Sequence, residues 1–222
     1  MCPRKPIKSQ SNMKKCIVMA FAAMLFAGTT LLAQTTEEIV GRMSTEMERG
    51  NTEGFSIDLN MKIPIVGTVT SHNMILGDKM KFVITSDDKS SIMWSDATTT
   101  WSYDEKTGEI TIENKKPATD EKKDDDNMSA FNNITDGYDL TLKKETSDAW
   151  YIVCKKSKSN KDKDDPKKME LTVSKATYLP ISLRTKQSLI TISIENYTLG
   201  VSEESVTFNP AEYPNATIID KR

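Results

Sequence analysis

From residue 55 onward the chain alternates apolar and polar positions with a period of two. Phe55, Ile57, Leu59, Met61, Ile63 and Ile65 form the longest such run. Alternation of this kind sets one side of a β-strand against a core and leaves the other wet. Pro64 places the end of that strand at an edge or bulge, and Gly67 opens a turn. His72, Met74 and Leu76 continue on one face as far as Gly77-Asp78. Met80, Phe82 and Ile84 follow, then a polar turn over residues 86–89. Ile92 with Trp94, Trp101 with Tyr103, and Ile110 with Ile112 read as shorter strands. After Gly137 the alternation resumes in Tyr138-Leu140-Leu142, Trp150-Ile152-Cys154, Met169-Leu171-Val173, Leu179–Leu183 and Ile190–Ile194, with Val206 and Phe208 in the last strand. The sum is about ten or eleven strands. The tail after Phe208, with two prolines, is expected over the sheet edge.

Two stretches break the period. Thr35 or Thr36 can cap a helix, with Glu37 and Glu38 in its first turn. Ile39, Val40, Met43 and Met47 then mark one helical face, and Gly50 supplies a stop. A short helix is predicted over Ser129–Thr135, with Met128, Phe131 and Ile134 at helical spacing. Residues 114–127 and 155–168 mix acids and lysines without apolar periodicity and predict solvated loops, the second at a hairpin tip. Strands with one apolar face in long series predict a mainly β fold: a single large curved antiparallel sheet, an incomplete barrel, with two or three helices covering its concave apolar face.

The first 33 residues stand outside this pattern. Met13-Lys14-Lys15 precedes a run from Cys16 to Ala33 of almost wholly apolar and small residues. This is the form of a secretory signal, with cleavage expected after Ala33 and residues 1–12 a possible upstream mis-start. A membrane anchor is the competing reading, since the run is near the ~17-residue limit for spanning helices. No Cys follows the apolar core, so a free exported protein is expected rather than a lipoprotein. Residues 34–222 then form one domain. Residues 1–33 hold five basic residues and no acid, so the remainder falls from the whole chain's net charge of −2 to −7. That acidity argues against nucleic acid as a partner.

Chemistry-bearing residues are sparse. After residue 33 there is one His, His72, and one Cys, Cys154. A lone thiol cannot form an internal disulfide, and Cys154 is expected to be buried as a small core residue. His72 lies mid-strand without a surrounding motif, and the Asp87-Asp88 and Asp124–Asp126 clusters lack Ca²⁺-loop spacing. No catalytic residue, metal ligand or cofactor is assigned, and a binding protein is the leading class over a hydrolase built on His72.

The segment Ser95-Asp96-Ala97-Thr98-Thr99-Thr100-Trp101-Ser102-Tyr103-Asp104 resembles the strand–turn–strand signature of the LolA-type carriers of outer-membrane lipoproteins. Met80-Lys81-Phe82 is similar to that family's preceding aromatic strand, and Tyr138 to Ile152 to its middle hairpin. Phe208-Asn209-Pro210 with Ile218-Ile219-Asp220-Lys221-Arg222 resembles its ending. The resemblance spans roughly residues 36–222. It implies an incomplete barrel whose helices act as a lid over an apolar cavity for acyl chains. It implies a periplasmic monomer that takes acylated lipoproteins from an inner-membrane ABC transporter and passes them to an outer-membrane acceptor. Leu59, Met61, Ile63, Met74, Leu76, Met80, Phe82, Ile84, Trp94, Trp101, Tyr103, Phe131, Ile134 and Leu140 are the residues expected to line that cavity. A related envelope sensor, binding a protein or lipidated signal with the same sheet, is the alternative. Two departures stand out. The family's Asp-Gly turn is Asp96-Ala97 here, and Leu76-Gly77 replaces the Arg-Pro pair whose Arg latches the lid, with Lys81 the candidate substitute.

Overall fold

A computed structural model describes residues 34–86, 89–115 and 134–222. The proposed export signal, the predicted helix up to residue 133, Phe131, Asp87-Asp88 and most of the first charged run lie outside the described residues. Thr35–Arg222 forms one unit. It is the mainly β, open curved sheet that the alternation predicts.

The helix opens the unit as expected. In α1 (Thr36–Glu48), the Thr35 hydroxyl accepts from the Glu38 N–H and the Glu38 carboxylate accepts from the Thr35 N–H, a reciprocal cap. The helix ends at Glu48 with Arg49 as its C-cap, just before Gly50. After Arg49 the chain makes a further short turn, α2 (Gly50–Glu53), and ends at Gly54, with φ +70°. A Cβ there would meet the Ile75 carbonyl at 2.8 Å and Val201 at 2.9 Å, a close approach that only glycine fits.

Twelve strands follow: β1 (Phe55–Ile63), β2 (Gly67–Leu76), β3 (Lys79–Ser86), β4 (Lys89–Ser95), β5 (Thr99–Asp104), β6 (Glu109–Asn114), β7 (Tyr138–Glu145), β8 (Ala149–Lys156), β9 (Lys168–Ser174), β10 (Pro180–Gln187), β11 (Ile190–Leu199) and β12 (Thr217–Asp220). Their order in the sheet is β12-β6-β5-β4-β3-β2-β1-β11-β10-β9-β8-β7. Two meanders, β1–β6 and β7–β11, are joined where β11 pairs antiparallel with β1. The end strands β12 and β7 do not pair, so the sheet stays open. Val206 and Phe208 are not in a strand. Val206 closes a short helix, α3 (Glu203–Val206), Phe208 follows in irregular chain, and β12 returns parallel to β6 at the sheet edge. The sequence pattern missed β12 because it is only four residues long.

Register divides the sheet into two faces, and each is covered over a different half. On the first, α1 seats Ile39, Val40, Met43 and Met47 on Phe55 and Ile57 of β1, Ile152 and Cys154 of β8, and Leu171 and Val173 of β9. We call this the helix face. A bulge in β11 keeps its register. β1 advances from Ser56 to Asp58 while β11 moves from Thr198 to Glu195. The bulge brings Ile194 and Ile192 back to the helix face opposite Leu59 and Met61, while Tyr197 stacks on Phe55 at 5.3 Å between ring centroids. On the opposite face, over β4–β6, the chain after α3 lays Phe208 and Tyr213 on Trp94, Trp101 and Tyr103 at centroid distances of 4.7–5.6 Å. We call this the tail face.

Candidate functional site

The helix face does not end at the margin of α1. In β1, Leu59, Met61 and Ile63 continue from the packed Phe55 and Ile57. Their partners in register are Ser71, Val69 and Gly67 of β2, then Ile84 and Ser86 of β3. Phe82 and Met80 of β3 lie across from Asn73 and Ile75, and Met93 of β4 lies across from Phe82. The apolar members of this field are part-buried, none reaching the burial of the core beneath α1. Ile192 and Ile194 of β11, opposite Met61 and Leu59, join it to the packed half. The result is an apolar field, about four strands wide, beside the helix that covers the other half.

Beneath α1 itself the packing is tight. Met43, Met47, Ile134, Leu171, Leu183 and Ile194 line a cleft whose free space is about 20 Å³, room for about one water molecule. The expected lining residues therefore fall into separate groups. Leu59, Met61, Ile63, Met80, Phe82 and Ile84 share the field. Ile134 lies at the cleft, and Leu140 packs against the core under α1. Met74, Leu76, Trp94, Trp101 and Tyr103 stand on the opposite side. Trp94 is 2% exposed among the tail aromatics, so this group does not share a surface with the first. The separation was hidden because β2 and β4 carry apolar residues at both parities. His72-Met74-Leu76 competes with Val69 and Ile75, and Trp94 with Met93. Only cross-strand pairing decides which set faces α1.

One feature had no sequence signal. Arg42 of α1 donates to the Tyr178 hydroxyl at 2.9 Å, and its guanidinium carbon lies 3.9 Å from the Tyr178 ring centroid. Tyr178 sits at φ +57° in the β9–β10 turn and packs on Trp150 at 5.1 Å. The Tyr197 hydroxyl donates to the Met47 carbonyl at 3.3 Å near the other end of α1. Lys81 plays no part in this clasp; its ammonium lies on the tail face, 5.4 Å from the Trp94 ring centroid.

Cys154 is fully buried, and desolvation pushes its thiol up to about 11, which makes it unreactive. His72 Nδ1 lies 2.6 Å from Asp58 Oδ1, and Asn196 donates to Asp58 Oδ2 at 2.7 Å. These bonds, that of Asn196 first, hold the Asp58 carboxyl below its usual range. Among the described residues no group of three or more His, Cys, Asp or Glu is placed to hold a metal ion.

No protein-family model matches the chain, and no curated protein matches it. Solved structures of similar fold include an uncharacterised conserved protein from Thermus thermophilus, at 14% identity and a TM-score of 0.44 over 85% of this chain and all of that one. A LolA superfamily protein from Nitrosomonas europaea is similar at 10% identity and a TM-score of 0.33, over 81% of this chain and all of that one. The MucA/MucB complex structure of Pseudomonas aeruginosa is similar at 11% identity and a TM-score of 0.42; 77% of this chain spans 61% of that one. Likenesses this distant assign no function.

Proposed function

We propose that the protein is a non-catalytic carrier that shields the acyl chains of lipid-modified proteins between two membranes. In this reading residues 1–33 are a cleaved export signal and the rest works as a periplasmic monomer. It receives cargo from an inner-membrane ABC transporter and delivers it to an outer-membrane acceptor. The observation that carries the reading is the part-buried apolar field of β1–β4, lying beside a cleft that α1 closes.

Magnitudes support an exchange of helix for lipid. A chain of ~16 methylenes in water is unfavourable by on the order of ten kcal/mol. The four buried side chains of α1 contribute roughly 6–12 kcal/mol to seating it, as an upper bound. For one acyl chain, lifting α1 and filling its place with hydrocarbon is therefore nearly balanced, the condition under which that chain is both held and released. Methionines at 43, 47, 61 and 80 suit a surface that must fit two occupants.

The test is displacement. The protein loaded with a hydrophobic fluorescent probe should lose it when triacylated peptide is added and keep it with the unacylated peptide. Equal response to both peptides, or no probe binding, refutes carriage.

A further inference from the structure

Among the described residues, the two most exposed large apolar side chains, Ile65 and Leu189, lie at one end of the sheet. The β1–β2 turn carries Ile65, fully exposed, and Val66, 56% exposed. The β10–β11 turn carries Leu189, 69% exposed. These turns are neighbours because the end of β1 pairs with the start of β11, Lys62 opposite Thr191. Folding does not account for Ile65. It holds φ +71°, a region that disfavours β-branched residues by roughly 1–2 kcal/mol, and it touches no core. A glycine would relieve that strain, so the residue is both strained and solvated.

The surroundings are basic. Lys62, Arg184 and Lys186 line the groove between the two turns together with Ile65 and Leu189, and no carboxylate lines it. None of the three is in an ion pair among the described residues. Glu170, opposite Arg184, is bonded to Lys168 at 2.6 Å and also feels the charge of Arg184, so it offsets part of this basic surface. The three cations project from the face opposite α1, and the tail that covers the far half of that face does not reach them. On a chain with net negative charge, a cationic ring around exposed aliphatic tips selects a surface that is apolar below and anionic above. An anionic lipid leaflet has that order.

We propose that the β1–β2 and β10–β11 hairpin tips are a membrane-docking element. Ile65, Val66 and Leu189 enter the interfacial zone of an anionic phospholipid leaflet, while Lys62, Arg184 and Lys186 meet its headgroups. The docked protein keeps α1 and the apolar field free. The inference does not rest on acyl-chain carriage, since a partner-sensing protein would use the same contact.

The test is flotation of the protein, purified from the exported fraction, with vesicles of equimolar phosphatidylcholine and phosphatidylglycerol, against phosphatidylcholine alone. The protein should float with the anionic vesicles and be released by salt. Ile65→Ser with Leu189→Ser should lower the partition coefficient about tenfold or more. Replacing Lys62, Arg184 and Lys186 with Gln should lower it on the order of a hundredfold at low salt. Ile65→Gly guards against misfolding: its melting temperature should hold or rise while vesicle binding still drops. Unchanged partitioning in these variants, equal binding to neutral vesicles, or self-association through the tips without vesicle binding overturns the proposal. Acyl-peptide displacement should be unaffected in every variant, so flotation with failed displacement removes carriage alone.

Discussion

Asp96 shows how one side chain replaces a missing glycine. Its Oδ1 accepts from the backbone N–H groups of Thr98 and Thr99, both at 2.8 Å. Ala97 is not among the non-glycine residues with positive φ, so the turn requires no glycine. Asp96→Ala should lower stability by about 1–2 kcal/mol in denaturant unfolding at neutral pH, whereas Ala97→Gly should give no gain. Partial burial pushes the Asp96 carboxyl up, but the bonds from Thr98 and Thr99 outweigh it and hold the group below its ordinary 3.8. A depressed folded pKa stabilises above the unfolded value and is lost as pH falls through the folded one. The gap between wild type and Asp96→Ala should therefore close as pH is taken below about 3.8. A gap that persists unchanged in acid contradicts this assignment. Arg42 belongs to the same scale. Arg42→Ala removes a hydrogen bond and a cation–π contact worth about 1 kcal/mol together at an exposed site. The melting temperature should fall by about 2–4 °C, and probe uptake should quicken as α1 is freed. A slower uptake would show that the clasp does not hold the helix shut.

At the scale of elements, α1 and most strands were legible because each carries a single clean period. The reciprocal cap of Thr35 and Glu38 and the stripe Ile39, Val40, Met43 and Met47 are local, and the helix forms where they place it. The side on which β2 and β4 present their larger residues was not legible. Ser71 and Asn73 are buried polar residues on the helix face, joined by a hydrogen bond between their side chains, which period counting assigns to solvent. The tail departs from its pattern for a similar reason. Val206 and Phe208 are two apart, but Ser202 caps a helical turn by accepting from the Ser205 N–H, and local capping prevails over a two-residue alternation. The aromatic cluster on the tail face then makes a distinct prediction. Phe208→Ala should destabilise by about 2–3 kcal/mol in denaturant unfolding yet leave hydrophobic-probe affinity unchanged. Phe82→Asp, on the apolar field, should do the reverse. If Phe208→Ala weakened the probe as strongly as Phe82→Asp, the two faces would not be functionally separate.

At the scale of the whole molecule, the separation of the two coverings decides what can move. α1 rests on β8–β11 and β1, while the tail is fastened to β3 by the Lys79–Glu203 ion pair and to β6 by β12. These attachments share no buried residue, so on the carrier reading the helix leaves its seat while the sheet and its tail-side core persist. Backbone bonding in β8–β11 is inter-strand and does not pass through α1, so those amides need not open when the helix does. Hydrogen exchange tests this directly. Without ligand, amides of α1 should exchange faster than those of β8 and β9, since local opening requires less than global unfolding. Saturating triacylated peptide should raise α1 exchange further, because the helix has been displaced, and slow exchange in β1 and β3, where hydrocarbon covers the field. Protection gained in α1 would mean that the ligand binds over a seated helix, and exchange would then report a surface groove rather than a cavity with a removable cover.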